Sequence, residues 1–326
     1  MSVPFKLWWE GARPRTLPAA IVPVVVGTAA GYLQSGQVQL LRFRGGAIGD
    51  RFVHHLSVLN ALLALVVALG IQIGTNYVND YADGVRGTDD TRAGPVRLVA
   101  GKLATVQQVK IAAGVAFGVA GVAGLLLAVR VTWWFVLVGV VCVVAGWAYT
   151  GGPRPYGYMG FGELFVFLFF GLVATAGSAY VQHAPFLIPI GTGAVKYDYN
   201  WPFVLWTGVP VGLLSAALLQ ANNLRDIDTD AAAGKKTLAV RLGRENAGYL
   251  YVGTLMCVAL SIGILHQWRS YTLVALLALP LAFYPVRMAL SDRSGRRLLP
   301  LLGATSRLQL AVGALLTAGL LLLNPG

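Results

Sequence analysis

Carboxylates gather in two short stretches of this chain, near residues 76–90 and 222–230, although the whole chain has only 13 Asp and Glu residues. Each stretch follows a long apolar segment and is followed by basic residues. Carboxylates at the edge of a membrane are costly and usually functional. Magnesium takes hard oxygen ligands and commonly joins a few carboxylates to substrate phosphates. The two stretches therefore predict a polyphosphate that Mg²⁺ holds between them.

Helical spacing places part of each stretch on one helix face. The positions three or four residues apart are Asn76, Asn79 or Asp80, and Asp83 in the first stretch, and Asn222, Asp226 and Asp230 in the second. We expect the four aspartates of these two faces to act in catalysis and the three asparagines to bind substrate. Asp228 follows Asp226 by two residues, which turns it by about 200° around the helix, so we expect it to point away.

Basic side chains beside the two stretches are predicted to bind the remaining phosphate oxygens. They are Arg97, Lys102, Arg225, Lys235 and Lys236, and Arg15 near the N-terminus is a further candidate whose alternative role is to set the membrane topology. Cations and metal together would stabilise a departing diphosphate. Tyr149 is predicted either to stabilise a carbocation or contact a second substrate with its ring, or to be an aromatic residue at the membrane interface.

The composition indicates an integral membrane protein. The chain is 56% hydrophobic and 12% charged, with a mean hydropathy of +0.67, whereas soluble domains carry about 25% charged residues. We predict an all-α fold, with residues 1–326 forming one domain of nine transmembrane helices. The spans are expected near 16–33, 56–78, 105–128, 132–150, 161–182, 203–224, 247–267, 271–290 and 307–323. We expect the connection 34–55 to be an external loop or an amphipathic segment.

The basic residues predict the orientation of these spans. With the N-terminus inside, 19 of the 25 Lys and Arg residues fall on the inner side, as the positive-inside rule requires. Both acidic stretches then lie on the cytoplasmic side of the cell membrane, after the second and sixth spans, and the C-terminus lies outside. The same bias accounts for the net charge of +12, so no nucleic-acid partner is expected. The separation of four spans between the stretches suggests an internal repeat.

The acidic motifs and the segment 234–243 resemble the UbiA-type intramembrane aromatic prenyltransferases. The first motif of that family, Asn-Asp-x-x-Asp, is matched by Asn79, Asp80 and Asp83. Its next Asp is expected at the position of Gly87, and Asp89 is the nearest substitute. The second motif, Asp-x-x-x-Asp, is matched by Asp226 and Asp230.

The resemblance implies nine transmembrane helices around a central cavity that is open to membrane lipids. It also implies that polyprenyl diphosphate is one substrate. Mg²⁺ would be the cofactor, with ligands drawn from Asp80, Asp83, Asp89, Asp226 and Asp230. It implies neither the length of the prenyl chain nor the oligomeric state.

Three loops, at residues 12–18, 94–97 and 149–153, resemble the branch of the family that uses 1,4-dihydroxy-2-naphthoate in menaquinone synthesis. The implied reaction joins the prenyl group to the ring carbon that bears the carboxylate, with loss of carbon dioxide, giving demethylmenaquinone. Arg97 is the first candidate to bind that carboxylate, because Arg makes planar, bidentate contacts; a contact with the diphosphate is its alternative.

Two alternative functions follow from the same sequence. The first is a sister prenyltransferase that uses 4-hydroxybenzoate, homogentisate or another lipid acceptor. The second is a secondary transporter, in which ionisable residues near the middle of the membrane would mark an ion path. The acidic residues instead cluster at one face of the membrane, which argues against the transporter.

Overall fold

A computed structural model describes residues 3–35, 37–42, 48–53, 56–87, 97–152, 155–183 and 199–322 of the protein. Within these ranges the chain is almost entirely helical, as the composition predicts. Many large apolar side chains, such as Leu277 and Phe283, lie on the outer surface of the helix bundle. Such a surface suits the hydrocarbon of a bilayer, where the outside of a bundle needs no polar coat.

The N-terminal half contributes five α-helices and one hairpin. The elements are α1 (Phe5–Gly11), a 3₁₀ turn (Pro14–Thr16), α2 (Pro18–Gln34), the antiparallel strands β1 (Gln37–Arg42) and β2 (Ile48–Val53), α3 (Val58–Val85), α4 (Val106–Arg130) and α5 (Trp134–Ala148). The hairpin replaces the loop that was one of the two alternatives predicted at 34–55, and it agrees with the other, an amphipathic segment. Polar and apolar residues alternate over 37–40, and this two-residue period favours a strand over a helix.

The C-terminal half is helical where the structure describes it. The elements are a 3₁₀ turn (Tyr156–Met159), α6 (Gly162–Val166), a π-helical segment (Phe167–Ala174), α7 (Thr175–His183), α8 (Trp201–Ala232), α9 (Leu238–Leu265), a 3₁₀ helix (Ser270–Ala282), α10 (Phe283–Ala289), a second 3₁₀ turn (Gly295–Leu298) and α11 (Leu299–Leu321). The segments from α6 to α7 continue one another without a break. They form one apolar rod beside α8.

Seven helical stretches within the described ranges are long and apolar enough to cross a membrane. They are Val58–Val85, Val106–Arg130, Gly162–Gln182, Trp201–Ala232, Leu238–Leu265, Ser270–Ala289 and Gly295–Leu321. The pair Phe5–Thr16 and Pro18–Gln34, bent by 57° at the break, gives an eighth. Trp134–Ala148 is apolar but shorter. The count of nine spans therefore stays a prediction, with α5 as the helix that would complete it.

Small residues allow the helices around the second acidic stretch to pack closely. A β-carbon added at Gly171 would lie 2.5 Å from Cα of Gly212, and one added at Gly208 would lie 2.4 Å from the carbonyl oxygen of Gly171. Only glycine fits such a contact between helix backbones, which is common in membrane bundles. This contact fixes the α6–α7 rod against α8, the helix that carries the second acidic stretch.

Candidate active site

A cavity of about 610 Å³ lies between the helices that carry the two acidic stretches. Its body is lined by apolar side chains of α3, α4, α5 and the α6–α7 rod, among them Ile71, Val140 and Phe169. One end is polar and includes Asp83, Asp230 and Lys235. The cavity thus joins an apolar chamber to a charged rim formed by Asp83, Asp230 and Lys235. This arrangement suits a molecule with a hydrocarbon chain and an anionic head.

Lys235 joins the two acidic stretches at this rim. Its Nζ lies 3.1 Å from Oδ2 of Asp83 and 3.8 Å from Oδ1 of Asp230, and all three side chains are buried. Gly234 adopts φ of +72°, a left-handed conformation that favours glycine and ends many helices. The turn is closed by the N–H of Lys235, which donates to the carbonyl oxygen of Asp230 at 2.8 Å. The end of α8 therefore directs Lys235 back to its own helix and across to α3.

Tyr158 is a third component of the rim, from the 3₁₀ turn between α5 and α6. Its hydroxyl donates to Oδ1 of Asp83, and the ammonium of Lys235 lies 4.6 Å from the centre of its ring. Burial, followed by the negative charge of Asp83, raises the pKa of Tyr158, so it stays a proton donor. Tyr158 was not among the residues predicted from the sequence, whereas Tyr149, at the end of α5, was. An aromatic residue in a glycine-rich turn was the available signal.

The carboxylate of Asp80 binds backbone N–H groups and is not part of the cavity lining. Its Oδ2 accepts from the N–H of Leu98 and its Oδ1 from the N–H of Val99, both at 2.9 Å. A β-carbon at Gly84 would lie 2.6 Å from Cγ1 of Val99, so glycine lets this turn approach α3. The cavity lining includes Asp83 but not Asp80. Within the first stretch, Asp83 faces the cavity and Asp80 anchors the turn that follows it.

The second stretch shows the same division between facing and supporting carboxylates. Asp230 lines the cavity, whereas Asp226 receives two hydrogen bonds from Arg225, at 2.7 Å from Nε and 2.6 Å from Nη2. Nη2 of Arg225 also donates to Oδ1 of Asn222 at 2.7 Å. Asp228 is exposed, as its rotation around the helix predicts. Arg225 therefore fixes two members of its own stretch.

The predicted asparagines lie in the cavity wall. Nδ2 of Asn76 donates to the carbonyl oxygen of Ala12 at 2.9 Å and to Oγ1 of Thr16 at 3.1 Å, which ties the N-terminal segment to α3. Oδ1 of Asn79 accepts from the hydroxyl of Thr150. Both asparagines, together with Asn222, line the cavity.

The predicted cations occupy three kinds of position: the rim, the outer surface, and buried sites outside the cavity lining, where Arg97 and Arg225 lie. Lys235 lines the cavity, whereas Arg15, Lys102 and Lys236 are exposed and outside its lining. Arg97 is 9% exposed and is also outside the lining, so its contact with a substrate carboxylate stays a prediction. Near the N-terminus, Arg13 lines the cavity in place of Arg15. Its backbone is left-handed, with φ of 56°.

Tyr149 and a buried pair from α6 and α8 form the wall beneath the rim. The ring of Tyr149 lines the cavity and lies edge-on to that of Tyr156, with centres 5.5 Å apart. Nδ2 of Asn223, which also lines the cavity, donates to Oε1 of Glu163 at 2.9 Å. The sequence carries no sign that Glu163, near the start of an apolar segment, would meet Asn223.

The donor set at the rim fits a magnesium ion in its chemistry. Asp83 and Asp230 already share a cation, the ammonium of Lys235, and Asn79 and Asn222 line the same cavity, with their amide oxygens accepting from Thr150 and Arg225. Across the described residues, no three His, Cys, Asp or Glu side chains lie close enough together to form a metal site by themselves. An ion here would therefore need oxygens from a substrate, as Mg²⁺ sites commonly do. Asp89 lies outside the described residues.

Comparison with known proteins gives consistent matches. Residues 47–299 match the UbiA prenyltransferase family. The 1,4-dihydroxy-2-naphthoate octaprenyltransferase of Mycobacterium tuberculosis is 44% identical over 97% of both chains, and the enzyme of that name from Escherichia coli is 34% identical over 95% of this chain and 92% of its own.

A solved structure shows the same fold. The UbiA homolog from Archaeoglobus fulgidus bound to DMAPP and Mg²⁺ has a TM-score of 0.56 and 16% identity, and the match covers 95% of this chain and 98% of that one. The family match spans most of the chain, and the identity to the two enzymes extends over nearly its whole length. The chain belongs to the UbiA prenyltransferase family.

Proposed function

We propose that this protein transfers a polyprenyl group from polyprenyl diphosphate to 1,4-dihydroxy-2-naphthoate with loss of carbon dioxide. The observation that carries the proposal is the cavity, which joins an apolar chamber to a rim where Asp83 and Asp230 face each other across Lys235. The near full-length identity to enzymes named for this naphthoate supports the choice of acceptor. A transporter would need ionisable groups along a path through the membrane, whereas Asp83, Asp230 and Lys235 lie together at one end of the cavity.

The residues at the rim bind and orient the diphosphate. Lys235 would exchange its carboxylate partners for phosphate oxygens, because a flexible ammonium moves readily between anions. Asp83 and Asp230 would hold Mg²⁺, and Asn79 and Asn222 would add oxygen donors on exchanging their contacts with Thr150 and Arg225. When bound, the ion would neutralise charge on the diphosphate and so favour its departure. Asp80 and Asp226 support this arrangement through the backbone turn and the guanidinium that they bind.

The chemistry balances without an external oxidant. The allylic C–O bond breaks and its electron pair leaves with the diphosphate. The ring carbon that carries the carboxylate attacks the resulting cation and forms a C–C bond. The bond to the carboxylate then breaks, and its electrons restore the aromatic ring as carbon dioxide leaves. The product is the hydroquinone form of demethylmenaquinone, which reaches the quinone by a separate oxidation.

The apolar body of the cavity would hold the prenyl chain out of water. Its walls offer Tyr149 beneath the rim, where an aromatic face can stabilise an allylic cation. Walls of Val, Ala and Phe side chains exclude water from the reacting carbon, and so limit hydrolysis of the cation. The polar and apolar ends of one cavity thus serve the two ends of one substrate.

We also propose that the rim faces the cytoplasm, with the N-terminus inside and the C-terminus outside. The distribution of 19 of 25 basic residues on that side supports the orientation. Both substrates carry negative charge, and a cytoplasmic rim would receive them without moving that charge across the membrane.

The function is tested with purified protein in lipid nanodiscs. Wild-type protein receives a prenyl diphosphate and the naphthoate labelled in its carboxyl carbon, with 4-hydroxybenzoate and homogentisate as competing acceptors. We expect release of labelled carbon dioxide in equal amount to prenylated product, loss of both after EDTA treatment, and recovery with Mg²⁺. Preference for either competing acceptor would overturn the assignment of the acceptor. Full turnover in metal-free buffer would overturn the assignment of Asp83 and Asp230.

A further inference from the structure

Glu163 is a buried carboxylate that the rim does not use. It is the second residue of α6 and is 8% exposed, and its Oε2 has no hydrogen-bond partner among the described residues. Burying a charged group within a membrane bundle is expensive. Its Oε1 accepts from Nδ2 of Asn223 at 2.9 Å, which makes this contact the main polar restraint on the carboxylate.

Gly162 allows this contact by letting the start of α6 approach α8. A β-carbon at position 162 would lie 3.1 Å from Cδ2 of Leu219 and 3.3 Å from Cε2 of Tyr149. Leu219, Tyr149 and Asn223 all line the cavity. Asn223 follows Leu219 by four residues, so the two share a face of α8. The pair of Glu163 and Asn223 is therefore built into the same wall as the ring of Tyr149.

The contact with Glu163 decides which end of the Asn223 amide faces the cavity. Oε1 of Glu163 accepts the hydrogen bond, whereas the amide has an oxygen acceptor at one end and an NH2 group with two N–H donors at the other. Because Glu163 holds the nitrogen end of the amide, the carbonyl oxygen would be the end that faces the cavity, whose lining includes Asn223. That oxygen repels phosphate oxygens and attracts a hydroxyl group. It suits the second substrate of the reaction and not the diphosphate.

The position of Asn223 along α8 also favours a contact with the second substrate over a contact with the diphosphate. Asn223 precedes Asp230 by seven residues, which places it about 10 Å farther from the rim along the axis of α8. An aromatic ring held there would lie beside Tyr149, beneath the diphosphate and away from its charges. The ring hydroxyl would donate to Asn223, which orients the flat ring and pulls electron density towards its reacting carbon.

We propose that Asn223 accepts a hydrogen bond from a ring hydroxyl of the aromatic substrate and that Glu163 is its positioning residue. The proposal rests on the proposed function, because it takes a hydroxylated aromatic acid as the second substrate. It assigns acceptor recognition to the wall beneath the rim, apart from the carboxylates that face the diphosphate.

The first test is Glu163→Gln in full-length protein in nanodiscs. Gln offers both a donor and an acceptor, so the orientation of the Asn223 amide is no longer fixed. We expect KM for the naphthoate to rise about tenfold, the size expected for one hydrogen bond, and KM for the prenyl diphosphate to change less than about twofold. Glu245→Gln makes the same chemical change on an exposed helix surface and should leave both values unchanged.

A double variant tests the polarity of the pair. In Glu163→Gln with Asn223→Asp, the amide of residue 163 donates to the new carboxylate, which still presents an oxygen to the cavity. We expect this variant to recover naphthoate KM to within about threefold of the wild type, whereas Asn223→Asp alone places two carboxylates together and should not. Thermal melting of each variant separates lost binding from lost folding.

Substrate analogues provide a readout that a merely structural role would not change. Dissociation constants of the naphthoate and its two mono-methyl ethers are measured by quenching of protein fluorescence. Glu163→Gln should raise the dissociation constant of the naphthoate but not that of the ether that lacks the donating hydroxyl. An equal rise in both KM values, no rise in either, or a full penalty with both ethers would overturn the proposal.

These outcomes are separable from failure of the proposed function. If the wild type turns over 4-hydroxybenzoate and not the naphthoate, the proposed function is wrong, and the KM ratio for that hydroxylated acceptor tests the pair. If the wild type uses the naphthoate and Glu163→Gln leaves its KM unchanged, the function stands and the positioning role is wrong.

Discussion

The ammonium of Lys235, which follows the second acidic stretch, lies 3.1 Å from Oδ2 of Asp83 in the first, although the two residues are far apart in the chain. The contact brings the C-terminal end of α8 against the C-terminal end of α3. Because all the groups involved are buried, the attraction is screened less than it would be at a protein surface. The rim is therefore a single electrostatic unit assembled from both halves of the molecule.

The two carboxylates that face the cavity should be separable from their exposed neighbour by mutation. We expect Asp83→Asn and Asp230→Asn each to lower kcat by about 10²–10³-fold, as for lost electrostatic stabilisation of a leaving group. Asp228→Asn is the matched control on the exposed face of α8 and should stay within about threefold of wild type. A large loss in the control, with normal turnover in Asp230→Asn, would contradict the assignment.

Asp80 should behave as an anchor for the turn at Leu98 and Val99. Asn at this position can accept from only one of the two backbone N–H groups, which leaves a buried donor unsatisfied at a cost of about 1–3 kcal/mol. We expect Asp80→Asn to lower the thermal midpoint and the turnover, without changing the Mg²⁺ concentration that gives half-maximal activity. Asp83→Asn should raise that concentration. If both variants raise it equally, Asp80 is a metal ligand as the sequence motif first indicated.

Lys235 should matter more for the diphosphate than for the aromatic substrate. We expect Lys235→Met to lower kcat/KM for the prenyl diphosphate by about 10–100-fold, the range for a lost hydrogen bond between charged groups. Its effect on KM for the naphthoate should be small. Lys236→Met is the control, because Lys236 is the adjacent exposed residue outside the cavity lining. Equal losses in the two variants would show that position 235 has no special role.

The orientation can be tested with reporter fusions. We expect fusions after residue 326 to report the outside and fusions inserted at Lys102, an exposed turn residue, to report the cytoplasm. An odd number of spans separates the N-terminus from the C-terminus in this topology. Fusions that report the same side would refute nine spans, and α5, with 15 residues, would be the first helix to reassign.

The sequence by itself determined the class of the protein and predicted several of the residues that line the cavity. Hydropathy revealed apolar helices because a bilayer demands long uncharged segments. The spacing of three and four residues correctly separated Asp228 from Asp230, since angular position on a helix is a local property. The same local spacing could not separate Asp80 from Asp83, because both lie near one face of α3. They differ in the residues from other segments that contact them.

The tertiary structure decided which of these side chains line the cavity. The backbone of Leu98 and Val99 engages Asp80, Arg225 engages Asp226, and Arg13 replaces Arg15 as the arginine that lines the cavity. The joining of Asp83 to Lys235 and Tyr158, and of Glu163 to Asn223, depends on helix packing between distant segments. Such pairs leave no periodic signal along the chain, because periodicity records which face of a helix is apolar and not which neighbour that face meets.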